Sequence, residues 1–240
     1  MNITLTHDIT VRLVQEMGGD HMVVASARVS TSGEAALAFC EEPTEANYGL
    51  IRYLMQHRHG TPFEHSALTF FVHAPQFVWW EWVRHRVGMS YNLESSRYKK
   101  LEPVFWVPRR ERRMAPTSDH KPARPSFQEV SAEQYDGLIT EFEKTFLQAW
   151  DSYEMLLHEG IASEVARAVL PSAVYFSGWV TCNPRSLMHF LSLRTHEPEA
   201  AYVSYPQAEI EEAARSCEEV FAQGWPLTYK AFLEGGRVAP

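Results

Sequence analysis

Between Ser131 and Gly160 a single apolar stripe runs unbroken: Leu138, Phe142, Phe146, Trp150, Tyr153 and Leu157 recur every three or four residues. That period is helical, and a helix this long must lay its stripe on a packed core. Gly160 supplies the stop. The chain also supplies partners for such a helix. Ala67–Val72 is apolar, aromatic and β-branched and reads as a buried strand, and Val174–Thr181 reads as another. Thr4–Leu13 alternates apolar and polar residues, as one or two strands would. Further helices are expected from Asp20, a capping residue, through Val29, and over Thr44–Gln56, where Tyr48, Ile51, Leu54 and Met55 share a face. The same reading gives helices at Phe77–Val87, at Ser163–Val169, from Pro184 to Leu193, and at Gln207–Gln223 and Pro226–Leu233. Residues 99–130 are punctuated by Pro103, Pro108, Pro116, Pro122 and Pro125 and read as a surface excursion with one short strand at Val104–Val107. With no linker and no internal repeat, the pattern predicts a single α+β domain over residues 1–240, carrying an insertion at about 99–130.

Charge narrows the partners. A formal net charge of −8 over 240 residues argues against general affinity for nucleic acid or an anionic membrane. No apolar run approaches the roughly 20 residues of a bilayer span, and no signal peptide is visible. Cys40, Cys182 and Cys217 are few, far apart and without a CxxC pair. That predicts a reducing, cytoplasmic setting with neither a disulfide framework nor a structural zinc site.

Against this acidic background three clusters stand out. The first is Trp79-Trp80-Glu81-Trp82-Val83-Arg84-His85-Arg86, followed by Ser90, Asn92, Ser95, Ser96 and Arg97. On a helix Arg84 and Arg86 would point about 200° apart. Arginine forks suit phosphate oxygens, and the serines and Asn92 suit a polar ring. A solvated basic helix end is the alternative. The aromatic crowding favours a pocket, because exposed tryptophans at that density are costly in water. The second cluster is His57-Arg58-His59-Gly60-Thr61-Pro62-Phe63-Glu64-His65. Its spacing departs from HExxH, which leaves a metal site and a polar network at a loop corner both open. The third is Arg167, Asn183-Pro184-Arg185, His189 and Arg194, where a favourable helix macrodipole would also explain an arginine at a C-terminus.

Taken together these residues resemble the flavin-dependent thymidylate synthases. The family pattern is Arg-His-Arg, seven residues, then Ser. Here Arg84-His85-Arg86 precedes Ser90-Tyr91-Asn92-Leu93-Glu94-Ser95-Ser96-Arg97-Tyr98, with eight residues before Ser95 and hence one extra near Gly88-Met89. Ala27-Arg28-Val29-Ser30, His59 to His65 and Asn183-Pro184-Arg185-Ser186-Leu187-Met188 extend the likeness.

The resemblance implies an α+β fold with a central, mostly antiparallel sheet flanked by helices, assembled as a homotetramer whose active sites lie at subunit interfaces. It implies reductive methylation of dUMP to dTMP, with methylenetetrahydrofolate as one-carbon donor and FAD, reduced by NADPH, as hydride carrier. Arg194 resembles the arginine that stabilises charge on the pyrimidine. Glu81, Arg84, Glu94, Ser95, Ser96, Arg97 and Arg167 join it as the dUMP-binding set. Thr61, Arg84, His85, Arg86, Asn183, Arg185 and His189, with His59 and Ser30, resemble the FAD-binding set. Glu81 and His189 stand where the family often has glutamine and asparagine. Leu93 stands where glutamate or glutamine is usual, and Glu94 beside it is expected to take that polar role. His196 is the candidate for a flavin-stacking histidine.

Overall fold

The computed structural model describes residues 2–40 and 45–240. Strands β1 (Thr4–Thr6) and β2 (Thr10–Met17) open the chain, followed by helices α1 (Asp20–Ser32) and α2 (Tyr48–Gln56). Strand β3 (Ala67–Pro75) leads into α3 (Gln76–Trp82), and β4 (Met89–Leu93) and β5 (Val104–Trp106) come next. A short hairpin of β6 (Ala115–Pro116) and β7 (Phe127–Gln128) precedes the long helix α4 (Ala132–His158). Then follow α5 (Ser163–Ala166), β8 (Tyr175–Cys182), α6 (Pro184–Arg194), α7 (Ala208–Gly224) and α8 (Pro226–Glu234). The fold is α+β, as the sequence predicts. Among the described residues no helix is long and apolar enough to cross a membrane.

The chain forms two compact units. One comprises the described part of Met1–Ile9, with His73–Glu81 and Leu93–Gly178; the other comprises Thr10–Val72, Trp82–Asn92 and Trp179–Pro240.

In the first unit α4 starts at a capping box. The Gln134 N–H donates to Ser131 Oγ at 3.1 Å, and the Ser131 N–H donates to Gln134 Oε1 at 2.9 Å. Phe146, Trp150 and Tyr153 of its stripe are buried among Leu101, Phe105, Val107, Ala166 and Val174. Phe105 stacks on Phe146 with ring centroids 5.0 Å apart, and β5 pairs in parallel with β1. The stretch read as a surface excursion is therefore narrower than expected. Its prolines break the helical pattern, but Leu101, Phe105 and Val107 between them are core residues.

The second unit holds most of a four-stranded sheet in the order β2-β3-β8-β4. Strands β3 and β8 run antiparallel: Thr69 meets Thr181 through their hydroxyls, and four residues on His73 meets Ser177, four residues back. Its core gathers Ile51, Leu54, Phe63, Leu68, Phe70, Leu187, Phe190, Phe221 and Phe232, all buried.

Three local expectations need correcting. The helix read over Phe77–Val87 ends at Trp82. The Tyr91 hydroxyl lies 3.0 Å from the carbonyl oxygen of Trp82, the last helical residue, and 2.5 Å from that of His85 just beyond it, so one O–H donor from a later strand serves this helix end. The helix read over Thr44–Gln56 is a turn of 3₁₀ helix at Glu45–Asn47 followed by α2; Thr44 lies outside the described residues. Asp20 begins α1 but does not cap it. Its carboxylate accepts from the N–H groups of Leu227 and Thr228, at the start of α8.

Candidate active site

In the first unit the serine-rich turn is a knot of short-range bonds. The N–H groups of Tyr98 and Lys99 donate to the Ser95 carbonyl, which turns the chain sharply at Ser96. Ser96 is fully buried, and its Oγ accepts from Arg167 Nη1 at 3.0 Å. Arg167 comes from the 3₁₀ turn that closes α5. Arg97 is drawn outward to Glu164, Nε to Oε2 at 2.9 Å. Glu94 is committed within the chain: Oε2 accepts from the Ser177 N–H at 3.1 Å, and Oε1 pairs with Lys99 at 2.7 Å. Glu81 is half-buried at the end of this unit's share of α3.

The second unit holds the Arg-His-Arg triplet. Because α3 stops short of it, the two arginines do not occupy opposite helix faces. Arg84 and Arg86 are exposed, while His85 between them turns inward, its ring edge-on to Phe190. Phe190 in turn stacks on the fully buried Trp82 at 5.0 Å. Of the crowded tryptophans, Trp79 and Trp82 are buried and Trp80 is 52% exposed.

His85 Nε2 accepts a hydrogen bond from Arg194 Nε at 3.0 Å. The imidazole must be neutral to accept, with its proton on Nδ1. Burial, then the Arg194 and His189 charges, push the His85 pKa down to about 4. Since that lies below the ordinary 6.5, the folded state binds fewer protons than the unfolded one. Stability from this site is therefore complete above about pH 6.5 and drains as pH falls through about 4. Urea unfolding at stepped pH is expected to show that decline, and His85→Gln is expected to flatten it over this window.

A second grouping forms where the loop after α2 meets α6. Asn183 caps α6 by accepting from the Ser186 N–H at 2.8 Å, and Pro184 occupies the first turn. Gly88, with φ of +65°, packs against this cap; a Cβ there would lie 2.1 Å from Ser186 Oγ, so only glycine fits. The Arg185 guanidinium lies over Gly60, where an added Cβ would come within 2.4 Å of it. It pairs with Glu64, Nη1 to Oε1 at 2.6 Å. His189, one turn along α6, is held below the ordinary imidazole range by desolvation, then by Arg185 and Arg58.

Arg58 belongs to the second sequence cluster, which gives it no role of its own. It lies at the turn ending α2 with φ of +60°, a backbone state usually left to glycine and costing a larger residue about 1 kcal/mol. The sequence does not reveal that conformation, because the glycine that normally marks such a turn is absent. Thr61 and His59 lie exposed on the same loop. Ser30 joins none of these groups, since its Oγ donates to the Ala27 carbonyl of its own helix. His196 is tied to the Ser204 carbonyl through Nδ1 at 2.8 Å and lies against Tyr205. Among the described residues no group of three or more His, Cys, Asp or Glu side chains is arranged to hold a metal ion.

Comparison with known proteins decides the family. Residues 12–227 match the family described as "Thymidylate synthase complementing protein". The flavin-dependent thymidylate synthase of Streptomyces coelicolor is 48% identical over 99% of this chain and 96% of its own. That of Tropheryma whipplei is 46% identical over 100% of this chain and 98% of its own. The chain belongs to the flavin-dependent thymidylate synthase family. A solved structure agrees: a UMP/dUMP methylase, PolB, from Streptomyces cacaoi, bound with 5-Br dUMP, has a TM-score of 0.91 at 43% identity. The match covers 99% of this chain and all of that one.

For a member of this family the donor set can be tested against its cofactor. A flavin nucleotide presents a polar ring and phosphates. Arg185, packed over Gly60, supplies a guanidinium fork, and Asn183 and His189, the latter held below the ordinary imidazole range, are polar groups. That chemistry fits the group.

Proposed function

We propose that this chain converts dUMP to dTMP, taking its one-carbon unit from methylenetetrahydrofolate, with FAD as the flavin and NADPH as reductant. The observation that carries this reading is the bond between Arg194 and His85, which ties the Arg-His-Arg triplet to the C-terminal end of α6. Uracil is a weak carbon nucleophile, and negative charge must develop on its ring. A guanidinium already fixed through Nε is preorganised to stabilise that charge, with no reorganisation at the moment of reaction. Neutral His85 orients Arg194 without competing for an anion. Ser96 and Arg167, with Arg84, Ser95 and Arg97, are assigned to dUMP, and Glu81 and Glu94 to its surroundings. Thr61, Arg84, His85, Arg86, Asn183, Arg185 and His189, with His59 and Ser30, are assigned to FAD. Bound flavin would supply the hydride; the protein binds, orients and excludes water.

Four chains are proposed to assemble, with active sites at their interfaces. Exposed apolar side chains such as Trp80, Trp179, Val14 and Met17 support that reading, since a soluble monomer gains little by displaying them. A cytoplasmic setting is part of the same proposal.

The experiment is tritium release from dUMP labelled at uracil C5, using flavin-loaded protein with NADPH and methylenetetrahydrofolate. Release is expected, together with a flavin absorption spectrum; a flavin-loaded protein that releases none would sink the synthase reading. The PolB likeness supports a second arm, UMP in place of dUMP. Faster release from UMP would move the assignment to the ribonucleotide.

A further inference from the structure

Glu94 leads directly into the turn at Ser95 and Ser96, and its side chain is only 15% exposed. A carboxylate so shielded from water repels a nearby anion more strongly than one on the open surface, because little solvent screens it. The chain nevertheless fixes it there. The Glu94 N–H donates to the Ser177 carbonyl at 2.8 Å, and the Ser177 N–H donates back to Glu94 Oε2 at 3.1 Å. The side chain thus takes the acceptor's place that a backbone carbonyl holds in a β-ladder.

Its charge is met from within the same turn. The Ser95 carbonyl accepts from the N–H groups of Tyr98 and Lys99, at 3.0 and 3.3 Å. That fold-back brings Lys99 alongside Glu94, Nζ to Oε1 at 2.7 Å. The bond to Glu94, and then the Glu94 charge, push the Lys99 pKa above the ordinary lysine range, so the ammonium stays charged. The neighbouring cations have carboxylates of their own: Arg97 pairs with Glu164 and Lys100 with Glu154. Arg167 gives Nη1 to the Ser96 hydroxyl, which carries no charge. His73, bonded to Ser177 Oγ at 3.1 Å, also feels the Glu94 charge. Burial nonetheless holds its ring below the ordinary imidazole range, so at neutral pH the cation that answers Glu94 is Lys99. About half of the Lys99 side chain lies in water, so the pair adds little to stability, and its loss is read in binding rather than in folding.

We propose that Lys99 is a positioning residue for dUMP that acts through Glu94: by holding and neutralising that carboxylate, it lets the turn that presents Ser96 and Arg167 accept an anionic nucleotide. This rests on the reading of that turn as the dUMP site.

The test is tritium release from labelled dUMP by flavin-loaded protein at pH 8 and several salt concentrations. It compares the wild type, Lys99→Met, Lys99→Arg and a double variant that joins Lys99→Met to Glu94→Gln. Lys99→Met is expected to raise KM for dUMP about tenfold at low salt, the effect of one uncompensated charge, and to leave kcat within about twofold. That excess in KM is expected to shrink as salt screens the carboxylate. Lys99→Arg keeps the charge and is expected to stay close to the wild type. In the double variant the glutamine amide can still accept from the Ser177 N–H but carries no charge, so most of the affinity is expected to return. A KM unchanged in Lys99→Met would overturn the proposal while leaving the synthase reading intact. So would a rise in KM that persists in the double variant, or that is the same at every salt concentration, since either marks a role in shape alone. A wild type that turns over no dUMP would overturn both readings.

Discussion

Arg194→Ala is expected to lose about 10³-fold in turnover, on the scale of removing one preorganised electrostatic stabiliser, while the protein keeps its flavin. The expectation follows from how the side chain is held. Arg194 ends α6, and its Nε is bonded to His85 Nε2 at 3.0 Å. That bond holds the guanidinium beside the triplet, which is the preorganisation the proposed charge stabilisation calls for. Alanine removes the charge and leaves His85 without a donor, but does not touch Asn183, Arg185 or Arg58. Single-turnover tritium release and the flavin absorption spectrum would separate the two effects. Arg194→Lys is expected to recover only part of the loss, because a compact ammonium lacks the planar, delocalised geometry of a guanidinium. Turnover unchanged in Arg194→Ala would remove the role proposed for it. Loss of flavin together with turnover would move Arg194 into the cofactor set.

Much of the proposed site is drawn from short motifs that the sequence displays. Arg84-His85-Arg86, Ser95-Ser96-Arg97 and Asn183-Pro184-Arg185 are each visible as runs of types that suit anions. The pairings between distant runs are not visible. Nothing local says that Ser96 receives Arg167 or that His85 receives Arg194, since those bonds follow from tertiary packing. Glu94 shows the limit from the other side. The family resemblance marks it as a polar group beside a ligand, and within the chain the Ser177 N–H and Lys99 bond its two oxygens. The left-handed turn at Arg58 is hidden for a third reason. Its distinction is a backbone angle, and backbone angles are legible only where glycine or proline betrays them.

The same division holds for the fold. The strands and long helices follow from periodicity, because burial of one face imposes a period on the chain. Helix ends are decided by single hydrogen bonds, whose partners can come from anywhere. Helix α3 stops at Trp82 with Tyr91 beyond it, and the most distant such partner is Asp20. A capping residue is expected to serve the helix it precedes, yet Asp20 serves α8, more than two hundred positions later.

The consequence is a large stability effect at a residue remote from the proposed chemistry. Helix α8 begins with Pro226, which has no N–H to satisfy. The next two N–H groups, of Leu227 and Thr228, donate to Asp20 Oδ2 at 2.7 Å and Oδ1 at 2.9 Å. The Tyr229 N–H then makes the first intrahelical bond, to Trp225, so every early donor has a partner. Thr228 Oγ1 adds a third bond to Asp20 Oδ1 at 2.6 Å, and both residues are buried. Water cannot replace the carboxylate at Thr228, which has no exposed surface. Asp20→Ala is therefore expected to cost about 3 kcal/mol, combining a lost cap with unsatisfied buried donors. For a chain of this size that is a fall in Tm of about 10 °C. Asp20→Asn keeps one acceptor oxygen and is expected to lose roughly half as much. Thermal unfolding of the three proteins at pH 7 would check the order. An Asp20→Ala protein as stable as wild type would mean that α8 finds another cap, and that the long-range bond is not what fixes the start of this helix.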